Sequence, residues 1–143
     1  RNLASGGGLS SDGGRNNTSS WGHVEISPTT GEKENRLLNV MYVTDSGNTK
    51  TLPSVLLEGD GYIGSVTLGR AVIFMTRRNY VSDEFNVSLT GDGEMSVYLG
   101  GVAAGKWEVR VDGHVLTTVT ATPEGHFLSF NAPAGDITLT PVK

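Results

Sequence analysis

The sequence predicts an all-β fold, an antiparallel β-sandwich of about ten short strands. Three observations carry this reading. From Trp21 onward, apolar residues recur in short runs of period two rather than at helical spacing. Turn dipeptides punctuate those runs, in a chain with 20 Gly and only 5 Pro. No stretch joins a capping residue to an amphipathic helical stripe.

Residues 1–20 read RNLASGGGLSSDGGRNNTSS, where only Leu3 and Leu9 could anchor anything. Such a stretch buries too little apolar surface to offset the entropy of ordering it, so it reads as a flexible, disordered Gly/Ser/Asn-rich linker or loop. Residues 21–143 form the β-sandwich domain. Glycosylation sequons at Asn16, Asn17 and Asn86 indicate surface positions. If Val24 and Ile26 of the first run face the core, Trp21 and His23 lie on the outer face, where the preceding tail or an adjoining domain would cover Trp21 or the indole would stay open. An indole there suits the apolar face of a sugar ring.

The segments 37–43 and 71–75 are apolar on both faces and read as central strands covered on both sides. Phe85, Val87 and Leu89 alternate with polar residues, as do Met95, Val97 and Leu99, and Gly91-Asp-Gly93 reads as the turn that feeds the second run. Gly59-Asp-Gly61 is a similar turn. The clearest strand is 106–111: Trp107, Val109 and Val111 share one face, with Lys106, Glu108 and Arg110 on the other. Trp107 is thereby a core residue. Asp112-Gly113 follows, a dipeptide suited to a type I′ hairpin turn, and 115–121 returns. Residues 127–130 and 136–139 make two further strands, separated by 131–135.

Composition narrows the function. A net charge of -4 and a pI near 5.3 disfavour nucleic acid or an anionic membrane as a partner. The absence of Cys removes disulfides, thiolate zinc sites and Cys nucleophiles. No apolar run is long enough to cross a bilayer as a helix. A chain that starts at Arg1 with no apolar signal core reads as a processed or excised piece of something longer.

Catalytic and metal signatures are weak. Asp60 and Asp92 lack the companion carboxylates of a calcium loop, and His23, His114 and His126 lack zinc-ligand spacing. His114 and His126 sit in turns that could approach each other if their strands pair. Ser65 lies in a strand pattern, outside any nucleophile elbow. No catalytic residue, metal or cofactor is therefore assigned. The densest polar cluster is Arg77-Arg78-Asn79-Tyr80. Its guanidiniums suit the carboxylate or sulfate of an acidic sugar, and the phenol could stack or move a proton. The alternative is a solvated loop whose arginines balance Asp83 and Glu84. Candidate substrate-binding residues are Arg77, Arg78, Tyr80, Trp21 and His23.

The order of these features resembles the C-terminal region of heparinase II/III-type polysaccharide lyases. The resemblance rests on Trp21-Gly-His-Val-Glu-Ile-Ser-Pro28, then Asn35-Arg-Leu-Leu-Asn-Val-Met-Tyr-Val43, then Gly69-Arg-Ala-Val-Ile-Phe74, Gly105-Lys-Trp-Glu-Val109 and Gly135-Asp-Ile-Thr-Leu139. In that family an α/α toroid precedes β-sandwich domains, and uronic-acid-containing polysaccharide is cleaved by β-elimination. Its catalytic Tyr, His and Asn lie upstream of everything matched here. The resemblance therefore implies a non-catalytic sandwich that supports or edges the substrate cleft. Its implied partners are an anionic polysaccharide and a catalytic toroid of the same bacterial parent, secreted or periplasmic. Two other readings stay open at this level. An independent carbohydrate-binding module would bind glycan through an exposed aromatic such as Trp21. A structural or adhesive sandwich would assemble without sugar.

Overall fold

The computed structural model describes residues 38–41, 47 and 53–143. The expectations for residues 1–20, and for Trp21 and His23, lie outside the described residues. Leu38–Lys143 group as one unit.

Among the described residues seven strands follow in chain order: β1 (Ser54–Gly59), β2 (Tyr62–Thr67), β3 (Arg70–Met75), β4 (Phe85–Gly100), β5 (Gly105–Val111), β6 (His114–Ala121) and β7 (Phe127–Val142). They form one ladder in the order β1-β2-β3-β4-β7-β5-β6. Tight turns make the local hairpins. Leu68 and Gly69 both take positive φ, 51° and 68°, between β2 and β3; Asp112 and Gly113 do so at 48° and 80° between β5 and β6. This is the backbone of a type I′ turn, whose twist matches that of the flanking strands.

The all-β class holds, but strand number and direction differ from expectation. The runs at 85–89 and 95–99 are parts of one 16-residue strand, and so are those at 127–130 and 136–139. Gly91-Asp-Gly93 is not a hairpin turn: the β4–β7 register shifts between Leu89 and Glu94, so this tripeptide bulges out of a continuous ladder. Gly59-Asp-Gly61, by contrast, leads into a real hairpin, with Gly59 paired to Tyr62. Nor is the sheet wholly antiparallel, because β3 runs parallel to β4 over Arg70–Phe74 and Ser96–Gly100.

The bulge explains how one ladder encloses a core. The second half of β4 continues the β1-β2-β3 meander, while β5 pairs only with the last part of β7. Each long strand therefore serves two layers, bent at the bulge. The layers meet face to face: the Tyr62 hydroxyl on β2 accepts the Ser88 N–H on β4 at 3.1 Å. Inside lies a single apolar cluster that includes Ile73, Val97, Trp107, Val109, Leu128 and Leu139. Trp107 packs edge-on against Phe85, centroids 5.6 Å apart, and its indole N–H donates to the Ala103 carbonyl at 3.0 Å. That bond satisfies the polar atom that burial would otherwise strand.

One expectation about burial fails. In β3 Ala71 and Ile73 are buried in the core and Met75 packs partly buried against it, whereas Val72 and Phe74 are 37% and 48% exposed on the outer face. Residues 38–41, expected within a central strand, form no strand, and Met41 is 91% exposed. The physical reason is layer count: among the described residues no further layer covers the outer face of β1–β4. Residues 38–41 only border an open groove there, opposite Ser65, Thr67, Val72 and Phe74.

Candidate functional site

The loop that leaves β3, residues 76–84, carries the polar cluster singled out from sequence. It is anchored at several points. Thr76 N–H donates to the Gly61 carbonyl at 2.8 Å. Val81 is buried and bridges to Val102, with Val81 N–H donating to Gly101 O and Ala103 N–H to Val81 O. Glu84 accepts the Thr140 hydroxyl proton at 2.8 Å. Between these anchors, residues 77–80 are pushed outward and exposed.

Arg77 pairs with Asp83, its Nη1 donating to both carboxylate oxygens at 3.1 and 3.2 Å. The Arg77 guanidinium, by hydrogen bond first, holds the Asp83 carboxyl below its ordinary range. This charge balance is the plainer of the two sequence readings of the loop. Arg78 is exposed on the same loop.

Tyr80 is placed differently. Its ring lies flat against the imidazole of His126, centroids 3.5 Å apart and planes 9° apart. His126 comes from the connection between β6 and β7, with φ at 51°. Its backbone carbonyl accepts from Gly101 N–H at 2.9 Å and Val102 N–H at 3.2 Å, and its Nδ1 is 3.1 Å from the Val102 carbonyl oxygen. A carbonyl only accepts, so Nδ1 carries the proton. The loops 76–84, 100–104 and 122–127 thus converge at one end of the sandwich.

His126 is the residue that sequence reasoning assigned only to a turn. The approach of His114 and His126 that paired strands would have allowed does not occur. His114 opens β6 at the β5–β6 turn, whereas His126 follows the far end of the same strand. The signal that pointed to Tyr80 was its polar neighbourhood; nothing local pointed to His126. Among the described residues, no three His, Asp or Glu side chains converge as a metal site.

These features define a polar, aromatic loop cluster at one end of an all-β domain. The heparinase II C-terminal domain family matches residues 56–141, and the chain belongs to that family. The matched range includes the 69–74, 105–109 and 135–139 segments of the resemblance and starts after the Trp21–Val43 part. Family membership places the chain in a polysaccharide-degrading parent with other domains. Comparison with curated proteins gives no match. No helix among the described residues is long and apolar enough to cross a membrane.

Proposed function

We propose that this chain is the non-catalytic C-terminal β-sandwich of a polysaccharide lyase that cleaves uronic-acid-containing polymer by β-elimination. In the parent it supports the catalytic domain and edges the substrate cleft with the 76–84 loop. The observation that carries the reading is the family match across 56–141, coupled to an anchored loop that exposes Arg77, Arg78 and Tyr80. The catalytic base and the group that neutralises the uronate carboxylate belong to another domain of the parent. The parent works outside the cytoplasm, secreted or periplasmic, because its polymeric substrate is too large to enter a cell intact.

The test is the parent enzyme with and without residues 56–141, assayed by the ultraviolet absorbance of the unsaturated uronate product. Loss of turnover on polymer is expected on deletion. A truncated parent that keeps full activity and stability would remove the proposed role.

A further inference from the structure

We propose that Tyr80 and His126 together form a sugar-stacking subsite, with His126 as the residue that holds the platform. The proposal rests on the lyase reading above and deepens it by naming where a pyranose ring sits.

Three independent features of the molecule converge on this pair. First, Tyr80 is 55% exposed although one face of its ring lies on His126. With one ring face covered, more than half of the tyrosine still meets solvent, which leaves flat apolar surface beside a polar hydroxyl. Such a surface suits the C–H face of a pyranose, with the ring hydroxyls left to polar neighbours. Second, the pair is fixed rather than draped. Val81, next to Tyr80, is tied to Gly101 and Ala103 by backbone bonds, and the same 100–104 segment grips His126 through its carbonyl and Nδ1. A platform immobilised in advance loses little freedom when a ligand lands on it. Third, His126 holds a left-handed backbone conformation, φ 51°, that a side-chain-bearing residue adopts at a cost. Glycine, already present at 125, fits that conformation freely. Leu68 shares this φ at an exposed turn, so the backbone alone marks no use; at His126 the imidazole is stacked on Tyr80 and held by the Val102 carbonyl, which gives this side chain one. That use is the imidazole plane beneath Tyr80.

The ligand class follows from the rim. Arg78 and Asn79 precede Tyr80 on the exposed loop, and Arg77 stands beside them in its pair with Asp83. A uronate residue places a carboxylate at the edge of its ring, where a guanidinium can meet it while the ring stacks. An internal uronate-bearing sugar of the parent's polysaccharide is thus the occupant.

The experiment is titration of the chain with hexasaccharides derived from heparin and from hyaluronan, followed by calorimetry and by the tyrosine ring signals in NMR. Tyr80→Ala should weaken binding about tenfold, while Tyr80→Phe keeps it. His126→Gly is the decisive variant, because it relieves the backbone and so preserves the fold while removing the imidazole. It should weaken binding several-fold with an unfolding transition at or above that of the wild type. Binding that persists unchanged in both Tyr80→Ala and His126→Gly overturns the subsite and leaves the lyase reading standing. No binding of either hexasaccharide by the wild-type chain also overturns it, and the deletion in the parent then decides the lyase reading separately.

Discussion

Asp112 and Asp136 hold each other by reciprocal hydrogen bonds. The Asp112 N–H donates to the Asp136 carbonyl at 2.9 Å, and Asp112 Oδ1 accepts the Asp136 N–H at 3.0 Å. Asp136 in turn accepts the Ser88 hydroxyl proton at 2.8 Å through Oδ1. A turn residue of the β5–β6 hairpin is thereby locked to the point on β7 that lies next to the β4 bulge. Gly135 makes room for this: a Cβ there would stand 3.0 Å from both Asp112 carboxylate oxygens, at a φ of 150°.

Replacing Asp112 with Ala should destabilise the chain by about 1–3 kcal/mol, since it loses the acceptor and sets Ala in the left-handed region. Asn keeps both the oxygen and the tolerance for that conformation, so Asp112→Asn should stay close to wild type. Urea unfolding of the two variants checks the contrast. Equal losses would mean that the carboxylate charge, not the geometry, is what counts.

The β2–β3 turn offers the opposite outcome. Leu68 is 57% exposed and sits at φ 51°, a conformation that costs Leu more than Asn. Leu68→Asn should raise stability by about 0.5–1 kcal/mol, seen as a higher denaturant midpoint with an unchanged slope.

Within the same hairpin, Gly64 tolerates nothing larger. An added Cβ would lie 2.6 Å from the Val72 carbonyl oxygen of the paired strand. Gly64→Ala should cost about 1–3 kcal/mol and loosen amide protection along β2 and β3. Full protection in that variant would show that the two strands can separate slightly without penalty.

The Arg77–Asp83 pair sets a pH response. Asp83 is held below its ordinary value of 3.8 in the folded chain, so whatever it contributes is present above 3.8 and is lost as pH falls through the lower folded value. The carboxyl carbon of Asp83 should titrate below 3.8 in NMR and move back toward 3.8 in Arg77→Ala. Added salt should narrow the difference, because both side chains are exposed.

Much of this fold was legible locally. The strand with Trp107, Val109 and Val111 inward, and its Asp112-Gly113 turn, need only period two and a turn preference, and both occur as read. What escaped depends on partners far along the chain. Gly91-Asp-Gly93 has turn chemistry, but β7 runs past it and keeps pairing on both sides, so it becomes a bulge. Val72 and Phe74 look like core residues because their chemistry is apolar, and they are not because, among the described residues, no further layer covers their face. The loop site was half legible. Arg77, Arg78 and Tyr80 announce themselves by clustering, whereas His126 meets Tyr80 only because Val81 bridges Val102. Trp21 and His23 lie outside the described residues.

The bulge at Leu89/Glu94 has a consequence for how the molecule comes apart. Phe85–Leu89 and Glu94–Gly100 belong to different layers yet are one strand, and both halves pair with β7. Neither layer can peel away without pulling the shared pair with it. Opening should therefore be all-or-none: amides on either side of the bulge exchange with solvent at one common free energy, and a protease finds no half-open intermediate to cut.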